Sequence, residues 1–293
     1  MCKVCGNASH ITVNAALRYD PTRTTILRQR FEAEIVRRFR RLARLIRERV
    51  GEEDGFGLKA NAGQFDFPRS DQKVGAFMDW LQGQVNEGIL EVRVGEALGR
   101  ASQRAWTNVY IQSAYQKGLA QSASRMRAEG AQVAPEWVTD AFTRPFHADR
   151  VGLVYTRTFN DLKGITDEMD KQISRELANG LSQGLGPMDI ARSLTDRVEK
   201  VGITRARMLA RTEVIAAHAE ASLNVYEEAE ADGVMIEAEF ATAGDAQVCQ
   251  QCRDAAAAGP YSLDKARGMI PLHPNCRCAF IPVLADPRKV NLR

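Results

Sequence analysis

Five side chains able to bind a soft metal ion fall close together near the end of this chain. They are Cys249-Gln250-Gln251-Cys252 and, twenty residues later, His273-Pro274-Asn275-Cys276-Arg277-Cys278. The whole sequence has only six cysteines and four histidines, so composition alone does not produce this cluster. A Cys-x2-Cys pair puts two thiolates on one tight turn, at the separation that lets them share a tetrahedral ion. A His-x2-Cys or His-x4-Cys pair closes the other two corners. Zinc suits such a sulfur and nitrogen set, and the thiolates bind it deprotonated. Cys249, Cys252 and His273 are common to every preferred ligand set. Cys276 and Cys278 compete for the fourth corner; two apart in an extended run, they point to the same face. Four protein ligands leave no position for water, so such a site is structural. The competing readings are a reduced, metal-free thiol cluster and a disulfide. A disulfide is disfavoured because Met1-Cys2-Lys3-Val4-Cys5 does not open a secretory signal.

Two further constellations must be weighed. Cys2 and Cys5, with His10 nearby, make half a metal site, and two thiols in a loose terminus explain them as well. His218-Ala219-Glu220 followed by Cys249-x2-Cys252 mimics the zinc deaminase pattern, in which Glu shuttles protons to a metal-bound water. Val248 stands where that pattern has proline, and His218 lies inside an uninterrupted helix-forming run. His273 with Cys276 or Cys278 also offers the same thiolates a complete set. No phosphate-binding glycine fingerprint, Ser/His/Asp set or nucleophile elbow is present, so no enzyme is expected.

Charge is unevenly distributed. The net charge is +3, but residues 1–50 hold Lys3 and eleven arginines against Asp20, Glu32, Glu34 and Glu48. That is a surplus of eight on the arm, leaving the remainder slightly acidic. Leu27, Phe31, Ile35, Phe39, Leu42 and Ile46 recur at three- and four-residue steps, which predicts one helix over 22–50 with an apolar stripe, capped by Thr24 or Thr25. Its other faces carry Arg28, Arg37, Arg38, Arg40, Arg41 and Arg44, candidates for contact with nucleic acid phosphates or an acidic protein. A solvated face with Glu32 and Glu34 pairing some arginines is the alternative. No apolar run of about 18 residues occurs, so no membrane span or membrane partner is expected.

Periodicity predicts further helices over 70–88, 96–129, 135–141, 146–178, 188–199 and 203–231, with Pro135 and Pro145 in first turns. A strand over 234–240 and a final strand over Ala279–Leu284 bracket the thiol cluster. The fold class is therefore mainly α, an elongated helical body with a small C-terminal α+β metal-binding unit of zinc-knuckle type. Four regions follow: an irregular tip over 1–20, a helical region with the basic helix over 21–130, a central helical region over 131–232, and the metal-stapled unit over 233–293. A unit of ~50 residues has too small a core to be stable unaided, and a structural metal adds folding free energy directly.

With these residues in hand, the chain resembles the phage Mu F-like head-morphogenesis family of tailed-phage minor capsid proteins. Three elements carry the resemblance in order: Arg205-Ala206-Arg207-Met208-Leu209-Ala210-Arg211-Thr212-Glu213, which resembles the family's helix ending in Ala-Arg-Thr-Glu, then Asp245-x3-Cys249-x2-Cys252, and Pro271-Leu272-His273-Pro274-Asn275-Cys276-Arg277-Cys278. Asp20-Pro21-Thr22-Arg23-Thr24-Thr25 and Phe77-Met78-Asp79-Trp80-Leu81 are looser reminders. Phe240-Ala241-Thr242 replaces a tryptophan the family often has before the Asp…Cys element. The resemblance implies a component of the virion, inside the head, assembled in the host cytoplasm. Its implied partners are the portal protein, the major capsid or other head proteins, and double-stranded genomic DNA. A zinc-containing nucleic-acid-binding protein is the alternative.

Overall fold

The computed structural model describes residues 20–59, 70–231, 233, 235–285 and 291–292. The tip that carries Cys2, Cys5 and His10 lies outside them. The first helix is started by Asp20. Its carboxylate accepts hydrogen bonds from the Thr25 backbone N–H and hydroxyl, both at 2.7 Å, and from the Thr22 hydroxyl at 2.6 Å. The cap expected from Thr24 or Thr25 thus comes from upstream, which satisfies the same orphan N–H end. Helix α1 runs Thr25–Ile46 and buries Phe31, Ile35, Phe39, Leu42 and Ile46, the stripe that its spacing predicts. It ends in a wide turn over Arg47–Glu52. Helix α2 runs Ser70–Val85.

The single helix expected over 96–129 is two helices, α3 over Leu98–Arg104 and α4 over Asn108–Ala128. Ala105 between them is extended, with φ −58° and ψ 139°. The break places Trp106. Its indole N–H donates to the Ile89 carbonyl at 2.8 Å, and its ring lies edge-on to Phe31 with centroids 5.8 Å apart. The guanidinium of Arg38 sits 4.1 Å over the same ring. Burial and hydrogen bonding of one large side chain outweigh the few tenths of a kcal/mol per residue that continuous helix offers.

Strand β1 over Gln132–Val133 and helix α5 over Pro135–Thr139 lead into α6, Pro145–Ser182, whose 38 residues span about 57 Å. Helix α7 covers Pro187–Arg197, and α8 covers Thr204–Ala231. Each proline sits in a first turn, where its missing N–H has no cost. From Glu213 to Tyr226 every residue of α8 except Glu220 is buried. A helix buried on all sides must be surrounded, and α1, α4 and α6 pack around it. Gly118 of α4 shows how close the approach is: a Cβ there would lie 2.4 Å from the His218 carbonyl oxygen and 2.7 Å from Ala221 Cβ.

The last segment supplies β2 over Ile236–Ala241, α9 over Gln250–Ala258, β3 over Tyr261–Ser262, α10 over Leu263–Ala266, β4 over Ala279–Leu284 and β5 over Asn291–Leu292. Strand β2 is the centre of a three-stranded antiparallel sheet, ordered β3-β2-β4. Ile236, Ala238 and Phe240 face inward while Glu237 and Glu239 face out, as a period of two requires. The sheet rests on the helices: the Phe280 carbonyl accepts from Arg125 of α4 at 2.6 Å and from the Tyr226 hydroxyl of α8 at 3.2 Å. Strand β5 returns to pair in parallel with β1. The buried apolar residues form one continuous cluster from Phe31 to Leu292, so the C-terminal α+β unit and the helical body share a core. The architecture is mainly α with a small α+β unit, as the sequence predicts.

Candidate metal centre

The first Cys-x2-Cys pair sits where β2 hands over to α9. Cys249 is the N-cap of α9, in extended conformation, and its Sγ accepts the Cys252 backbone N–H at 3.4 Å. That N–H donor holds the Cys249 thiol below its usual range. Cys252 is buried, 2% exposed, one turn into the helix. The second arm is a tight turn. The His273 carbonyl accepts the Cys276 N–H at 3.1 Å, and Asn275 takes a left-handed φ of 62° that asparagine tolerates better than most residues. Cys276 and Cys278 follow, both buried, on the approach to β4.

The turn delivers His273 in the tautomer a metal needs. Nδ1 lies 2.8 Å from the Pro274 carbonyl oxygen, which can only accept, so the proton is on Nδ1. In the neutral ring this turns the Nε2 lone pair toward Sγ of Cys249, 3.3 Å away, and Sγ of Cys252, 3.2 Å away. A zinc ion with Zn–S near 2.3 Å and Zn–N near 2.05 Å holds such a pair about 3.6 Å apart, so the observed separations need only a few tenths of an ångström of relaxation. The carbonyl acceptor on the other ring nitrogen is the outer support that metal-binding histidines usually have.

The ligand atoms form two groups, Cys249–Cys252–His273 and Cys252–Cys276–Cys278, each with all members within 4.8 Å of one another. Of the predicted ligands, Cys249, Cys252 and His273 share one group, while Cys276 and the competing Cys278 share the other with Cys252. Cys252 alone belongs to both groups. The thiols polarise one another unequally. The Cys276 thiol is pulled down to about 5, first by its hydrogen bond to the Cys278 thiol and also by backbone N–H donors. Cys278 moves up in exchange, and burial pushes Cys252 up to about 12. A bound cation offsets such burial by stabilising thiolate directly. The donor set fits zinc: soft, converging and numerous enough to close a tetrahedron.

Two contacts that the sequence leaves without a role lock this unit. Arg277 lies between the two buried cysteines and points the other way, donating from both Nη atoms to Asp245 at 2.6 Å each. Asp245 also accepts the Gln247 N–H at 3.0 Å, so one ion pair ties the approach to Cys249 to the Cys276–Cys278 arm. The Asn275 N–H donates to Thr212 of α8 at 3.4 Å, which anchors the turn to the helical body. Glu213, the next residue, is buried and accepts from Arg157 at 3.0 and 3.1 Å and from Thr158 at 3.0 Å. Burial pushes its carboxyl up, and the Arg157 charge opposes this. The Arg-Thr-Glu triplet is thus an anchoring element on the central helix.

Residues 171–281 match the family model described as Phage Mu protein F like protein. That stretch of the chain is similar to phage Mu F-like proteins. It covers the last third of α6, all of α7 and α8, and the metal unit as far as β4. No curated protein and no solved structure matches the chain. The Mu F-like match supports a phage head-morphogenesis role as the functional class.

Outside the Mu F-like stretch, the structure divides the candidate arginines of α1. Arg28 is held by Asp20 at 3.4 Å and by the Thr25 hydroxyl at 2.9 Å. Arg38 bonds Glu34, Glu91 and the Gly88 carbonyl besides stacking on Trp106. Arg37 pairs with Glu34 but stays largely exposed. Arg40, Arg41 and Arg44 are exposed and have no ion pair among the described residues. His218 is in neither thiol group. It is fully buried between α8 and α4, where Nε2 meets Gln121 Oε1 at 3.2 Å. Glu220 pairs with Arg267 instead of facing a ligand set.

Proposed function

We propose that this chain is a minor capsid protein of a tailed phage, acting in head morphogenesis by contact and not by catalysis. It sits at the portal vertex inside the head, with the portal protein and other head proteins as partners, and its exposed arginines meet packaged DNA. The observation that carries the reading is the Mu F-like match over the stretch that holds the anchoring triplet and the Cys/His centre. The centre offers five soft donors in two groups joined through Cys252, enough to supply four protein ligands to one ion, and this favours a closed structural role. Cys249, Cys252 and His273 would hold zinc with Cys276 or Cys278, and the ion would supply folding free energy to the unit. The placement of His218 away from the thiols weighs against a deaminase.

The test is quantitative mass spectrometry of purified, DNase-treated phage particles from the source. A few to tens of copies per particle supports the reading. Presence in the lysate but not in particles removes the virion role. A second reading, a zinc-containing nucleic-acid-binding protein whose basic helix is its main business, is favoured by the unpaired arginines of α1. It predicts DNA binding by the free protein without any head association.

A further inference from the structure

Two cavities open side by side where α1 lies against α8. One, of about 640 Å³, has Arg37, Arg40 and Arg44 of α1 on one wall and Arg207 and Arg211 of α8 on the other. The second, of about 370 Å³, continues it toward the metal unit, ending at Gln247, Asn275 and Arg277. Gln29, Glu32 and Arg211 line both, so the two make one trough. Positions 37 and 44 are two helical turns apart, which stacks these side chains on one line about 10 Å long with Arg40 beside it. The α8 arginines come from far along the sequence, and Arg211 reaches Glu32, 179 residues before it, at 2.8 Å across the junction.

Charge and chemistry narrow what the trough can hold. Among the described residues seven arginines line it, Arg28 included, and their carboxylate partners are four: Asp20, Glu32, Glu34 and Asp245. Arg40 and Arg44 have no ion pair among the described residues. The surplus is positive, and the guanidinium forks have N–H donors left over for oxyanions. A protein partner of ordinary affinity needs an apolar or aromatic anchor at the centre of the contact. Among the described residues, none of the large exposed apolar side chains lines either cavity. A phosphodiester backbone needs only cations at repeated spacing.

We propose that this trough seats the phosphate backbone of a polynucleotide, contacted from both walls by Arg40, Arg44, Arg207 and Arg211, with Arg277 closing the end beside the metal unit. The inference rests on the phage-head reading for the presence of DNA, and it separates arginines which that reading treats alike. Arg41 is as exposed as Arg40, but it faces a different cavity with Arg38, Leu45 and Glu87. It is not a contact. Phosphate contacts carry no base information, so binding is independent of sequence.

The experiment is fluorescence anisotropy of the full, zinc-loaded chain with two short duplexes of unrelated sequence, across a salt series, with polyglutamate as a competitor. The expected result is equal affinity for both duplexes and a linear fall of log K with log salt. Arg40→Gln/Arg44→Gln and Arg207→Gln/Arg211→Gln should each weaken binding about tenfold or more and flatten the salt slope by about two contacts. Arg41→Gln should bind as the parent does. Arg40, Arg41, Arg44 and Arg211 are exposed and Arg207 is half-buried against Glu32; unchanged thermal melts will confirm folding. Parent-like binding by both double variants overturns the proposal, as does a loss in Arg41→Gln equal to theirs. Displacement by polyglutamate at lower concentration than by unlabelled duplex overturns it in favour of an acidic polypeptide. Absence of the chain from phage particles would remove the head role while leaving these binding results intact.

Discussion

Replacing Cys252 by serine should damage the metal centre more than replacing any other single donor. The reason is topological. Cys249 and His273 form one half of the cluster, Cys276 and Cys278 the other, and Cys252 is the member common to both. Loss of Cys276 or Cys278 leaves Cys249, Cys252, His273 and the remaining thiol, still a full set. Loss of Cys249 leaves Cys252 within 3.2 Å of His273 and beside both remaining thiols. Loss of Cys252 leaves two pairs with no bridge. Structural zinc is bound with roughly 10–16 kcal/mol in small units, so one of four ligands accounts for about 3 kcal/mol. At 1.4 kcal/mol per decade this is about a hundredfold in affinity. A variant rescued by the spare donor should lose less than about tenfold. The assay is competition against a calibrated zinc chelator, together with hydrogen exchange over residues 245–278. Cys252→Ser should release metal first and lose protection most in that segment, because α8 stays packed on α1, α4 and α6. Equal affinities for Cys252→Ser and Cys278→Ser would refute the two-group geometry, and retention of full affinity by Cys252→Ser would refute the site.

Further outcomes follow from the helical body. His218 is fully buried, and burial drives its imidazole down to about 3 from an ordinary 6.5. A base with a depressed folded pKa contributes stability while neutral, so stability should fall as pH drops from about 6.5 toward 3. His218→Gln should remove one proton from that slope in urea titrations, and an unchanged slope would show that the side chain is solvated. Gly118→Ala should destabilise by about 3 kcal/mol, since its methyl meets the His218 backbone oxygen and the Ala221 methyl and neither can move freely. Chemical denaturation measures this, and a change below 0.5 kcal/mol, within the scatter of surface substitutions, would refute the close approach of α4 and α8.

The sequence by itself determined most of the elements and the identity of the donors. Apolar positions at three- and four-residue steps depend only on local geometry, so α1, α6 and α8 were legible, as was the strand before the first cysteine pair. The thiol cluster was legible because metal ligation constrains residue type and local spacing together. Tertiary structure decided the rest. The break at Ala105 exists because Trp106 packs on residues far along the chain, which outweighs helix propensity. The cap of α1 comes from Asp20 because the preceding turn folds back on it. Arg277 is a lock on Asp245, and Cys252 is the pivot of the centre, because of where two distant turns meet. The division of the α1 arginines into paired and unpaired, and their junction with Arg207 and Arg211, arises from the packing of α1 on α8. Charge runs along a sequence show that cations are present; only the folded neighbours decide which of them are already neutralised, because ion pairing falls off within a few ångströms of contact.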